Sequence, residues 1–262
     1  MNNPHSYLVP GSRLPPRDQL IMGSHALKEV LLHAPKQILK VFYHETKGEG
    51  RQKEILLLCK EKNIPILSVP FEKLSKMTGS ESHQSLVAHV KGRDFLDVKK
   101  FLKKVEEKER VLVLMTDQIF DPQNLGSLIR SAECLGADAI VWSKNRGTDL
   151  TPVVAKASSG ASELLPLIRI SNLATAVNEF QNNGFEVVTA ILDEKAENAL
   201  CFRFVPKTLL VVGSEGEGIQ PLISKKANRS IYLPMQGKID SLNVTVAAAI
   251  LMNLYQKQFL LD

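Results

Sequence analysis

The sequence is poor in cysteine: three residues in 262, at positions 59, 134 and 201, with no C-x-x-C pair. That spacing excludes a disulfide framework and a Cys-ligated zinc site, so reduced structural thiols and no metal site are expected. Long apolar runs are missing too. No stretch reaches the roughly 18 residues that span a bilayer, and the longest candidate, Val244 to Leu254, is interrupted by Thr245 and Asn253. The opening residues, MNNPHSYLVPGSRLPP, show no charged segment followed by an apolar core. No secretory signal and a cytoplasmic location are therefore expected.

What is present is a globular composition, 44% hydrophobic and 23% charged, which excludes a disordered, collagen-like or coiled-coil chain. The length suits one large domain or two of modest size. The net charge of +5 is unevenly spread. Residues 1–107 carry 18 Lys and Arg against 12 Asp and Glu, whereas residues 108–262 carry 15 against 16. A basic module ahead of a neutral one points to a polyanion handled by the first and chemistry done by the second.

Pro4, Pro10, Gly11, Pro15 and Pro16 mark residues 1–17 as a flexible arm. Residues 18–91 read as a small α/β domain. It has a helix N-capped by Ser24 that buries Ala26, Leu27, Val30 and Leu31, then a strand over 38–43 and a basic loop with Lys47, Arg51 and Lys53. A helix over 54–62, a strand over 64–69, a helix over 71–77 and a strand over 86–90 complete it. Residues 92–107 are charge-dense with apolar positions at helical spacing, as suits an amphipathic linker or the first element of the next domain. Residues 108–262 alternate near-continuous apolar strands (111–117, 139–142, 187–192, 209–213, 230–234) with helices (122–135, 151–158, 172–183, a short one after Gly218, and 242–259). That alternation marks a parallel sheet covered on both faces, and ligands of such sheets sit beyond the carboxyl ends of the strands.

Three polar, glycine-bearing loops come after predicted strands: Asp117–Gly126, Gly213–Gly218 and Pro234–Asn243. In the first, Asp121-Pro122 opens a helix. Arg130 falls roughly opposite the buried stripe of that helix, with Gly126 one turn earlier leaving space beside it. Asn124 and Asn243, each in a first helical turn, can serve a ligand or only the backbone. The second loop, GSEGEG, carries two glycines of a phosphate loop, but Ile219 and Gln220 stand where its lysine and hydroxyl belong, and Pro221 breaks a dinucleotide fingerprint. An ATPase and a nucleotide-dependent regulator are thereby disfavoured. Glu215 and Glu217 suit a cationic or hydroxyl-bearing ligand instead. In the third loop Asp240 or Ser241 can cap the final helix, whose Ala247, Ala248 and Ala249 permit close packing.

DPQNLGSLIRSAECLGA, VVGSEGEGI and YLPMQGKIDSLNVTVAAA, in order from Asp121 to Ala249, together resemble the three motifs of the SpoU (TrmH-like) family of RNA ribose 2′-O-methyltransferases, within the SPOUT superfamily. Each motif alone is moderately informative; the three together are highly specific. MGSHALKEVL and HQSLVAHV look like the small RNA-binding domain that precedes the catalytic domain in the 23S rRNA guanosine methyltransferase branch, with Ser85 where family members often carry glycine.

The resemblance implies an α/β catalytic domain with a C-terminal trefoil knot, a homodimer formed through that domain, and S-adenosylmethionine held in the knot. Thr189, Ala190, Gly213, Leu233, Met235 and Leu242 would border the cofactor, mostly through backbone groups. Asn124, Arg130, Glu215, Ser241 and Asn243 match the catalytic positions. The implied reaction is attack of a ribose 2′-hydroxyl on the sulfonium methyl, with the family scheme giving proton removal to the arginine, assisted by the RNA phosphate. A guanidinium has a pKa above about 12, so Arg130 is read as fixing the ribose and the adjacent phosphate. Only RNA has a 2′-hydroxyl, so RNA and not DNA is the expected partner. The appended basic domain favours a guanosine of 23S rRNA over tRNA, and the five retained polar positions disfavour a non-catalytic ribosome-assembly protein.

Overall fold

The computed structural model describes residues 19–45, 50–91, 94–214 and 216–260. The arm expected over 1–17, Lys47 and Glu215 lie outside these residues. The chain divides into two units between Asp94 and Phe95.

The first unit is built on a four-stranded sheet. β1 (Gln19–Met22) pairs antiparallel with β4 (Leu86–Val90), β4 antiparallel with β2 (Ile38–Tyr43), and β2 parallel with β3 (Ile66–Ser68). Helices α1 (Ser24–His33), α2 (Gly50–Glu61) and α3 (Phe71–Thr78) complete the unit. β1 leaves no signal in the sequence, because four residues are too few to display a period. Ser24 is not the N-cap: that position is Gly23, at φ 95°, a backbone region that favours glycine. Ser24 instead donates its backbone N–H and its hydroxyl to Gln84 Oε1, at 2.9 and 3.0 Å. α2 starts four residues before the expected Glu54, which puts Arg51 and Lys53 on a helix rather than in a loop. Gln84 and Ser85 adopt φ 52° and 57°, so Ser85 holds the left-handed conformation that glycine takes more easily.

The second unit opens with α4 (Val98–Lys104), capped by Asp97 Oδ1, which accepts from the N–H groups of Lys99 and Lys100. Val98, Phe101 and Leu102 are buried in the unit's core, with the Phe101 ring 6.2 Å from Phe180. Of the two readings of this amphipathic segment, a linker or the first element of the next domain, α4 fits the second, because its apolar stripe has a sheet to cover.

The remaining elements alternate as expected: β5 (Val111–Asp117), α5 (Pro122–Cys134), β6 (Ala139–Ser143), α6 (Pro152–Ala157), β7 (Leu167–Ile170), α7 (Leu173–Asn182), β8 (Glu186–Ala190), β9 (Glu197–Asn198), β10 (Lys207–Gly213), α8 (Pro221–Lys226), β11 (Arg229–Tyr232) and α9 (Val244–Leu260). The short strands β7 and β9 go beyond the sequence-based expectation. The sheet order is β7-β6-β5-β10-β8-β11-β9, and every pair is parallel. All seven residues of β5 are buried. Leu112 and Leu114 face one core with α5, α6 and α9, while Val111, Val113 and Met115 face the other with α4, α7 and α8. Burying one such leucine contributes about 1.5–3 kcal/mol. Among the described residues no helix is long and apolar enough to cross a membrane.

Candidate active site

A parallel sheet puts all its carboxyl ends on one side. The register sets Gly213 beside Asp117 and Ile231 beside Ala190, so the chain leaves β5, β10, β8 and β11 as neighbours. The loops after β5, β10 and β11 are the three polar segments of the sequence.

Two side-chain links tie these loops together. Asp117, fully buried at the end of β5, accepts the backbone N–H of Gln220 at 2.8 Å and its Nε2 at 2.7 Å. The next residue, Gln118, sits at φ 60° and donates Nε2 to Gly218 O at 3.4 Å. The glycine-rich loop closes on itself: Gly218 N–H donates to Ser214 O at 3.0 Å, and Ser214 Oγ accepts from Glu217 N–H at 3.2 Å. A Cβ on Gly213 would stand 2.2 Å from Gly218 C and O, so this closure requires glycine there. Asn243 Nδ2 donates to Asn124 Oδ1 at 3.2 Å, joining the first and third loops. At the far end of the same helices, Gln256 Nε2 donates to Leu135 O at 2.7 Å, so α5 and α9 run parallel, side by side.

The helix starts obey local rules. Asp121 caps α5, accepting from Gln123 and Asn124 N–H, with Pro122 in the first position. α9 is capped by Asn243, whose Oδ1 accepts Thr245 N–H at 2.9 Å, rather than by Asp240 or Ser241. Ser241 is exposed in the loop before it. Gly126 does not leave space beside Arg130. It is buried against α6, where a Cβ would lie 2.4 Å from Ala157 Cβ and 2.7 Å from Val154 O. Arg130 is exposed and lies against Cys134 one turn on. Burial and the neighbouring Glu133 raise that thiol's pKa, and the arginine's charge opposes them.

The positions expected to border a cofactor fall beyond or at the ends of β8, β10 and β11. Thr189 is buried and donates Oγ1 to Arg229 O at 3.3 Å. Ala190, Gly213, Leu233 and Met235 are half-buried, and Leu242 is exposed. Asp117, Gln118 and Gln220 were missed as site residues. The signal was available for one of them: a carboxylate ending an otherwise apolar strand is expected to be buried with a partner.

Comparison with family profiles matches residues 111–253 to the SpoU rRNA Methylase family, and residues 20–96 to RNA 2′-O ribose methyltransferase substrate binding. The chain belongs to the SpoU rRNA methylase family. This SpoU methylase is 37% identical to a TrmH family tRNA/rRNA methyltransferase of Staphylococcus aureus (strain COL), over 90% of this chain and 94% of that one. It is 36% identical to the TrmH family tRNA/rRNA methyltransferase YacO of Bacillus subtilis (strain 168), over 91% and 95%. An AdoMet-bound rRNA methyltransferase from Sinorhizobium meliloti has the same fold, with a TM-score of 0.73 at 20% identity over 94% of this chain and 89% of that one. By family, this SpoU methylase is an RNA methyltransferase.

Proposed function

We propose that the protein transfers a methyl group from S-adenosylmethionine to a ribose 2′-hydroxyl of rRNA, on a guanosine of 23S rRNA, in the cytoplasm. The observation that carries this reading is the pair of links Asp117–Gln220 and Asn124–Asn243, which gathers three loops at the carboxyl edge of β5, β10 and β11. The lining suits this cofactor. Ala190, Leu233 and Met235 offer half-buried apolar walls beside strand-end backbone groups, and the GSEGEG loop has no lysine to grip a phosphate, which S-adenosylmethionine lacks. When bound, the cofactor supplies an electrophilic methyl group on a sulfonium.

Arg130 fixes the ribose and the neighbouring phosphate, a task that its planar, bidentate guanidinium suits. Asn124 and Asn243, already hydrogen-bonded to each other, orient Arg130 and the hydroxyl together with Ser241. Glu215 is the remaining catalytic position of this proposal. Thr189, Ala190, Gly213, Leu233, Met235 and Leu242 border the cofactor within a trefoil knot formed by the C-terminal segment. Homodimerisation through α9 would cover its exposed Val246 and Ile250, with Leu242 beside them. The first unit, in the basic part of the chain, binds the RNA, and its presence favours rRNA over tRNA.

The test is transfer of labelled methyl to separated 23S rRNA and tRNA, with the modified nucleotide mapped by mass spectrometry. Arg130→Lys and Arg130→Ala are expected to lose transfer while keeping cofactor affinity. Normal turnover by either variant overturns the role of Arg130, and labelling of tRNA alone overturns the rRNA assignment.

A further inference from the structure

Beyond the carboxyl ends of β6 and β7, on the opposite side of β5 from β8 and β11, lies a cavity of about 260 Å³. Asn145, Arg146, Asn172, Gln220 and Leu222 are among its lining residues, and none of the described residues that line it is a carboxylate. The polypeptide holds this wall firmly. Ser143 Oγ accepts the N–H groups of Asn145 and Arg146, each at 3.1 Å, and Lys144 N–H donates to Ile170 O at 2.8 Å.

The hydrogen-bonding groups around the cavity are of mixed kind. Gln220 commits Nε2 to Asp117, which leaves Oε1 as the acceptor it offers. Asn145 commits Nδ2 to Ser171 O at 3.4 Å and likewise offers an acceptor. Asn172 commits Oδ1 to Thr175 N–H, so its Nδ2 is the donor. Arg146 is exposed and adds a cation, and Leu222, 57% exposed, adds an apolar surface. An apolar platform, amide donors and acceptors for the edge of a planar ring, and one guanidinium for a phosphate are the elements that recognise an unstacked nucleotide of single-stranded RNA. A free inorganic anion would have no use for the amide acceptors or the leucine.

We propose that this cavity holds a nucleotide of the RNA substrate flanking the one that is methylated. Gln220 forms part of the cavity and, through Asp117, part of the loop framework of the active site, so the two are adjoining and share a wall. The proposal rests on the RNA methyltransferase reading above and names where the substrate strand leaves the reaction centre.

The experiment measures binding of the full chain to a 23S rRNA transcript and a tRNA transcript across a salt series, for the wild type, Arg146→Ala and Leu222→Ala. Affinity for cofactor and melting temperature are recorded alongside. Arg146→Ala is expected to weaken RNA binding and to flatten the plot of log affinity against log salt by about one. Leu222→Ala is expected to weaken binding several-fold with the slope unchanged. Both variants keep the wild-type cofactor affinity and melting temperature. Wild-type RNA affinity in both variants overturns the proposal, as does failure of the wild type to bind either transcript. A parallel loss of cofactor affinity also overturns it, because the cavity would then belong to the cofactor site. If the wild type binds RNA and transfers no methyl group, the methyltransferase reading fails while these affinities still decide the cavity.

Discussion

Gln220→Met is the most direct test of how the site is held together. The substitution keeps the length and approximate volume of the side chain and removes the amide that donates to Asp117 Oδ1 at 2.7 Å. The carboxylate has no solvent exposure, so water cannot replace the lost donor without opening the loop. A hydrogen bond to a charged group contributes about 1.5–3 kcal/mol. The backbone N–H of Gln220 still reaches Oδ2 in the variant, which keeps the cost within that range rather than at that of a wholly unpaired buried charge. For a unit of this size each kcal/mol lowers the melting temperature by about 2–4 °C, so a fall of about 3–12 °C is expected. Loosening the 214–220 loop also costs cofactor binding, and a tenfold rise in Kd corresponds to about 1.4 kcal/mol. Thermal unfolding and calorimetric titration with S-adenosylmethionine read both quantities. A melting temperature within about 1 °C of wild type, with unchanged cofactor affinity, would refute the claim that this link organises the site.

Gly126→Ala is expected to destabilise the second unit by about 2 kcal/mol or more, because α5 and α6 must separate to admit a Cβ placed 2.4 Å from Ala157 Cβ; denaturant unfolding measures it, and a neutral result removes the close helix contact. Ser85→Gly is expected to stabilise the first unit by about 0.5–1 kcal/mol, since relief of left-handed strain of about 1–3 kcal/mol exceeds the added entropy of an unfolded glycine. A lower melting temperature contradicts that balance. The alkaline limb of stability is expected to depend on Tyr255, which burial pushes up to about 12 from its ordinary value of 10.0. The unfolded phenol ionises first, so stability is fully present below pH 10 and is lost as pH rises towards about 12, by about 2–3 kcal/mol. Tyr255→Phe should flatten that limb in urea unfolding curves recorded between pH 9 and 12.

Local chemistry made much of the second unit legible. The apolar runs at 111–117 and 209–213 are central strands, Asp121-Pro122 opens α5, and Gly213 and Gly218 bound the loop where a tight closure requires them. Each of these features depends on a few adjacent residues, which is why it survives reading in one dimension. The placement of Asn124 in a first helical turn was equally legible, whereas Asn243 proved to be the cap before α9 rather than part of its first turn, and their mutual hydrogen bond left no trace in the sequence.

The sequence alone determined the α/β class, the basic bias of the first part, the order of the three loops and the residues that resemble the family's motifs. Tertiary structure decided which of those residues meet. Asp117 and Gln220 are 103 positions apart, and Asn124 and Asn243 are 119 apart. Nothing in local propensity encodes such pairs; they exist because a parallel sheet brings the carboxyl ends of β5 and β10 together and because α5 and α9 pack side by side. The same packing turned Gly126 towards α6 rather than towards Arg130, and gave α4 a sheet to cover, which decided between a linker and the first element of the next domain. Periodicity specifies which face of an element is buried, but the neighbour that buries it is chosen only when the whole chain has closed.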